Sequence, residues 1–147
     1  MKHKCVPPDA IADIYGSDIY PNLLGQVRFY QRCHCVLVEA IIKGLPVTKT
    51  GFFGFHIHSG DNCMGTDFAN TKSHYNPTEA LHPVHAGDLP PLLSCHQNAY
   101  SAVLTGRFHV AEVIGRTVVV HDMADDFRTQ PSGNSGTKIA CGVIKKV

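Results

Sequence analysis

The spacing of apolar residues restricts this chain's folding more than any other feature. They come in short bursts, and Pro and Gly interrupt them along the whole length, with 13 Gly and 9 Pro in 147 residues. The segments AIADIYG (10–16), GQVRFYQ (25–31), HCVLVEAII (34–42), FFGFHIH (52–58), YSAVLTGRFHV (100–110), RTVVVHD (116–122) and TKIACGVI (137–144) are rich in Val, Ile, Phe and Tyr and are bounded by turn residues. That pattern predicts strands. A long helix needs apolar residues every 3.6 positions over ten or more residues; the best candidate, Ala99–Val113, is broken by Gly106 and alternates with a period of two. The expected architecture is all-β, an antiparallel sandwich or small barrel. The length fits a single domain over residues 1–147, with no repeat or linker to divide it.

Composition narrows the function. A formal charge of +1 from 13 basic and 12 acidic residues supplies no broad positive field for a phosphate backbone, so nucleic acid is not an expected partner. No apolar run is long enough to span a membrane as a helix, and the opening MKHKCVPPDAIADI lacks the apolar stretch of a secretory signal. The expected location is cytoplasmic if the chain is full-length, and periplasmic or extracellular if it is a processed form. Two irregular stretches interrupt the strands, Ser59–Pro91 and MADDFRTQPSGNSG (123–136). Connections of such length are usually functional or disordered.

Ten histidines are many for a chain of this size. His56 and His58 stand two apart in an apolar segment, so on a strand they share a face about 6.6 Å apart. Burying two imidazoles together is costly unless each has a partner, and neutral imidazole is the commonest metal ligand. The long connection offers His74, His82, His85 and Asp88 at spacings of eight, three and three. This matches neither a zinc finger nor HExxH, and the intervening prolines forbid one continuous helix. Three nitrogens and a carboxylate nevertheless suit a tetrahedral zinc shell; the competing reading is a solvent-exposed, His-rich loop. His121, ending the apolar run RTVVVH, is placed to help His56 and His58 close a site.

These segments closely resemble the copper/zinc superoxide dismutase family. GFHIHSGDNC is similar to the family's first copper-ligand strand and following cysteine, HYNP to its bridging-histidine segment, and HAGDLP to the end of its zinc loop. GRTVVVHDMADDF resembles the last copper-ligand segment, and GNSGTKIACGVI the closing glycine-rich turn and disulfide strand. The resemblance is recognisable from Gly25 and strong from Gly51 to Ile144. It implies a Greek-key antiparallel β-sandwich or flattened barrel with long metal-binding and electrostatic loops. It further implies copper on His56, His58, His74 and His121, and zinc on His74, His82, His85 and Asp88, with His74 shared between the two. Asp125 matches the carboxylate that links His56 with His82; Asp122 and Asp126 read as surface acids. Cys63 and Cys141 match the family's intrasubunit disulfide.

Copper exchanges one electron while zinc is redox-inert, so the resemblance implies a cofactor pair, Cu and Zn, that turns superoxide anion into dioxygen and hydrogen peroxide. His74 and Lys138 are the implied catalytic residues. The chain departs from the family at two points. Lys138 stands where the family usually has arginine, giving a mobile point charge in place of a planar fork, and HPVH from His82 to His85 replaces a longer excursion. Both departures keep a rival reading open, a non-enzymatic copper/zinc-binding or metal-transfer domain. Cys5, Cys33, Cys35 and Cys95 receive no role, although Cys33 and Cys35 are expected to share a strand face and could be core residues. His34, His96 and His109 read as structural or surface histidines. A monomer and a homodimer are both compatible with the family.

Overall fold

A computed structural model describes residues 6–147. Residues 1–5, which include Cys5 and begin the stretch read for a signal, lie outside them. The elements run β1 (Ala10–Gly16), β2 (Leu24–Gln31), β3 (Val36–Lys43), β4 (Phe52–Phe53), β5 (Phe55–His58), a 3-10 segment (Thr66–Thr71), β6 (Leu92–Leu93), β7 (Asn98–Thr105), α1 (Val110–Val113), β8 (Thr117–His121) and β9 (Lys138–Lys146). Seven strands form one antiparallel sheet in the order β5-β8-β9-β1-β2-β3-β7, and β4 pairs with β6. The chain therefore leaves β3, crosses to the far edge as β5, and returns to the β3 side as β7. The sheet curls into a half-barrel, as expected of a Greek-key sandwich or flattened barrel.

Sequence alternation builds this shape. In β1 and β3 the residues Ala10, Ala12, Ile14, Val36, Val38, Ala40 and Ile42 point inward and their neighbours outward. Phe29, Phe53, Phe55, Leu23, Leu45 and Ile144 complete the enclosed core. Strands β5 and β8 differ, being buried at every position. That is the signature of strands covered on both faces, and here the covering layer includes the long connection.

Three expectations need correction. FFGFHIH is interrupted at Gly54, whose N–H donates to Met123 O (2.7 Å) and whose O accepts from His121 N–H (2.8 Å). A Cβ there would lie 2.8 Å from that of Ser135. YSAVLTGRFHV ends as a strand at Thr105 and continues into α1. Cys33 and Cys35 are not core residues on a strand: the Arg32 N–H to Cys35 O bond (2.7 Å) closes a hairpin turn around them, leaving Cys33 exposed and Cys35 half-buried. Cys95 is also a free, exposed thiol. Among the described residues no helix is long and apolar enough to cross a membrane.

Candidate metal centre

His56 and His58 project from β5, paired through the ladder with Val119 and Thr117 of β8. His121 ends β8 at a register shift between Val120 and His121, and such irregularities re-aim a side chain. On the outer edge of β5 the long connection replaces a strand. Tyr75 N–H donates to Ile57 O (2.8 Å), Ile57 N–H to Gly87 O (2.9 Å) and Gly87 N–H to Tyr75 O (2.8 Å). A Cβ on Gly87 would lie 2.2 Å from Ile57 O, so only glycine permits the approach. These bonds set His74 opposite His58 and Asp88 opposite His56.

Two clusters result. His56, His58, His74 and His121 form one and His74, His82, His85 and Asp88 the other, with the candidate ligand atoms of each lying within 4.8 Å of one another. His74 belongs to both. The structure thus brings together all seven residues of the two predicted shells.

Hydrogen bonding fixes which nitrogens carry protons. Asp125 accepts from His56 Nε2 through Oδ2 and from His82 Nε2 through Oδ1, both at 2.8 Å. With the proton on Nε2 each ring presents its lone pair at Nδ1, and these two Nδ1 atoms, like His74 Nε2, are buried without a hydrogen-bond partner. His82 Nδ1 sits 3.0 Å from Asp88 Oδ2 without hydrogen-bond geometry, two acceptors face to face. His58 donates from Nδ1 to Lys72 O (2.9 Å) and His121 from Nδ1 to Gly136 O (3.5 Å). Their Nε2 lone pairs consequently confront each other at 3.2 Å. Buried acceptors aimed at one another are costly unless a cation lies between them. The donor set fits copper in the all-imidazole cluster and zinc in the cluster with three imidazoles and a carboxylate.

The electrostatics agree. Burial lowers His56 to about 4 despite the raising effect of Asp125, and lowers His121 to about 3, aided by neighbouring imidazoles. Burial and then His121 hold His58 well below its ordinary value. His85 is lowered by burial as well. For Asp88 burial acts upward, but the His74 hydrogen bond and the surrounding rings bring the carboxyl below its usual range; Asp125 is held low in the same way by His56, Phe127 N–H and His82 against burial. Neutral imidazoles beside ionised carboxylates are the forms that bind metals.

His58, His74, His121, Lys72 and Lys138 line a cavity of about 550 Å³. Lys138 Nζ donates to Thr71 Oγ1 (2.8 Å) and Lys72 O (3.1 Å), so it shares the Lys72 carbonyl with His58. Burial lowers its pKa. Cys63 and Cys141 form a disulfide across 78 residues, tying the start of the long connection to β9. His34, His96 and His109 are exposed, and His109 caps α1. Asp122 fastens Thr137 N–H (2.7 Å) and Asp126 folds its own loop through Arg128 and Thr129 N–H groups.

Sequence reasoning passed over Gly133, Gln130, Arg107 and Arg116. A Cβ on Gly133 would lie 2.0 Å from Asp125 Oδ1, so glycine is required beside the His56–Asp125–His82 bridge. Its place in GNSG was the only signal. Arg116 stacks over the Tyr75 ring at 4.1 Å and donates to Ser59 O (3.3 Å), pinning both ends of the segment that bears His74.

A curled antiparallel sheet with two histidine clusters sharing one imidazole defines a β-barrel protein with the capacity for two metal ions. A sequence model of the copper/zinc superoxide dismutase family matches residues 23–144. A copper/zinc superoxide dismutase of Legionella pneumophila is 30% identical over 95% of this chain and 89% of its own length, and one of Arabidopsis thaliana is 33% identical over 92% and 88%. One from Aquifex aeolicus is 29% identical over 84% and 80%. The chain belongs to the copper/zinc superoxide dismutase family, a family of oxidoreductases.

Proposed function

We propose that the chain disproportionates superoxide, two anions and two protons giving dioxygen and hydrogen peroxide. Copper would be held by His56 Nδ1 and by the Nε2 atoms of His58, His74 and His121, and zinc by the Nδ1 atoms of His74, His82 and His85 with Asp88. Bound copper would supply one-electron exchange, and zinc a fixed positive charge without redox chemistry. The observation that carries this reading is the tautomer pattern. Asp125, Lys72 O and Gly136 O take ring protons on the outer sides of four imidazoles, so that lone pairs converge within.

The side chains divide the remaining work. His74 Nε2 faces the first cluster without any protein partner, which makes it the atom that can take up and release a proton beside the substrate. Asp88 Oδ1 accepts from the opposite nitrogen of the same ring at 2.7 Å and fixes its plane; zinc would take the place of that proton between the two groups. Lys138 and Lys72 on the cavity wall draw a small anion toward His58 and His121. Tethering at Thr71 and Lys72 gives the Lys138 ammonium a defined position even without the arginine fork.

The test is to load purified protein with copper and zinc, quantify both, and measure superoxide loss before and after selective copper removal. Activity should track copper content. Full metal content without copper-dependent activity would refute the enzyme and leave the metal-binding rival.

A further inference from the structure

The loop from His82 to Asp88 carries three groups of the proposed zinc shell, yet has little packing of its own. Leu81 and Val84 are exposed, while Ala86 and Leu89 are its buried apolar anchors. Two side chains from distant parts of the chain close on its backbone instead. Gln130 brackets His82: its Oε1 accepts from His82 N–H (3.0 Å) and its Nε2 donates to His82 O (2.8 Å). Arg107 spans the rest, with Nη1 at 2.9 Å from Pro83 O, 3.2 Å from His85 O and 3.3 Å from Asp88 O.

Three carbonyl oxygens turned toward one point repel unless a positive donor lies among them, and a guanidinium nitrogen supplies both charge and N–H groups. The base of Arg107 is itself fixed. Its backbone N–H donates to Thr105 Oγ1 (3.2 Å) at the end of β7, and the next residue, Phe108, is buried in the core. The loop's internal links are also engaged, because His85 O receives the Asp88 N–H (3.2 Å) as well as Arg107, and Asp88 Oδ2 receives the His85 N–H (3.0 Å). Holding the carbonyls of His85 and Asp88 therefore fixes the backbone from which two of the ligand side chains project.

We infer that Arg107 is a positioning residue for the zinc half of the centre: it gathers the Pro83, His85 and Asp88 carbonyls and so presets a short loop for metal, with Gln130 performing the same service at His82. This rests on the zinc reading given above. Arg107 touches no ligand atom and acts only through the backbone. It is exposed and lies outside the strands, so its removal leaves the β framework intact.

The probe is Co(II), whose visible spectrum reports the geometry of a tetrahedral site, titrated in competition with a chelator. In Arg107→Met, cobalt affinity should fall about 10- to 100-fold, the range for groups that orient ligands from outside the coordination shell, and the visible bands should shift. Cu(II) affinity at the other cluster and the melting temperature of metal-free protein should hardly change. Arg107→Lys should recover part of the affinity, because one ammonium keeps the charge and can donate to some of the three carbonyls, but from a shorter stem. Cobalt affinity within about twofold of the parent and an identical spectrum in Arg107→Met would overturn the positioning role. So would equal losses in both variants with no spectral change, the mark of general destabilisation. If the parent itself takes up no cobalt, the zinc reading fails and the positioning role with it; if the parent binds and Arg107→Met is indistinguishable, the positioning role alone fails.

Discussion

Asp125→Asn isolates the logic of the centre, because it keeps the shape of a residue that is 5% exposed while changing what its two terminal atoms can accept. The carboxylate takes three donors: His56 Nε2 at 2.8 Å on Oδ2, and His82 Nε2 at 2.8 Å and Phe127 N–H at 2.7 Å on Oδ1. An amide offers one oxygen and one NH2. Whichever way it turns, one imidazole meets a donor and must move its own proton to the nitrogen that faces a metal cluster. The negative charge that raises the basicity of both rings is lost as well. Groups orienting ligands from outside the shell contribute about 10- to 100-fold in metal affinity, or roughly 1.4 to 2.7 kcal/mol. Chelator-competition titrations with Cu(II) and Zn(II), alongside urea unfolding of the metal-free protein to confirm folding, would measure this. Both affinities should fall, one of them by the full factor. A folded variant binding both metals within about twofold of the parent would show that Asp125 does not set the tautomers.

Lys138→Ala should slow superoxide loss and flatten its dependence on added salt, whereas Lys138→Arg should retain both; unchanged behaviour in both variants removes Lys138 from the encounter. Reducing the Cys63–Cys141 bond, which closes a separation of 78 residues, should lower stability by about 4 to 5 kcal/mol in the chain-entropy model, read as a fall in denaturation midpoint with reductant; an unmoved midpoint refutes it. In metal-free protein, burial sets His56 at about 4 and His121 at about 3, below the ordinary 6.5. The unfolded chain then binds more protons as pH drops below about 6.5, so stability should be complete above that pH and be lost progressively toward pH 4 and below. Urea midpoints that stay flat from pH 7.5 to 4.5 would contradict neutral, buried rings.

Most strands could be read because their physics is local: alternation in AIADIYG and VLVEAII states which face is buried, and the FHIH spacing places two imidazoles side by side whatever surrounds them. The break after Gln31 was legible, but the turn's extent was not: Arg-Cys-His-Cys contains no Gly, Pro, Asn or Asp to mark it, so the reading of the next strand reached back over Cys33 and Cys35. β6 is two residues long, too short to show a period. The zinc candidates in the long connection show in their donor types, three imidazoles and a carboxylate, but the sharing of His74 between two metals comes from the family resemblance, since spacings of eight, three and three follow no helical or strand repeat. What no local pattern carries is contact between distant polar groups. Arg107 reaching the carbonyls of 83, 85 and 88, and Gln130 bracketing His82, are products of the folded chain and leave no trace in composition or period.

The two clusters draw their order from different sources, and the position of β5 explains why. β5 is an edge strand, and unpaired edges invite association with other strands. Here the free N–H of Ile57 is taken by Gly87 O and its carbonyl by Tyr75 N–H, so the long connection occupies the place of a next strand. His56, His58 and His121 stand on paired strands and inherit their order from the sheet, whereas His82, His85 and Asp88 stand on the capping loop and depend on clamps, on the metal, or on both. His74 joins the two regimes, one nitrogen facing each cluster. A loop held by a few directed bonds instead of a packed face can open while the sheet persists, so metal bound to it stabilises the closed form by linkage. Zinc binding and the covering of the β5 edge would then be linked: opening of the loop would free the Ile57 N–H and carbonyl, while His56 and His58 keep the order they take from β8.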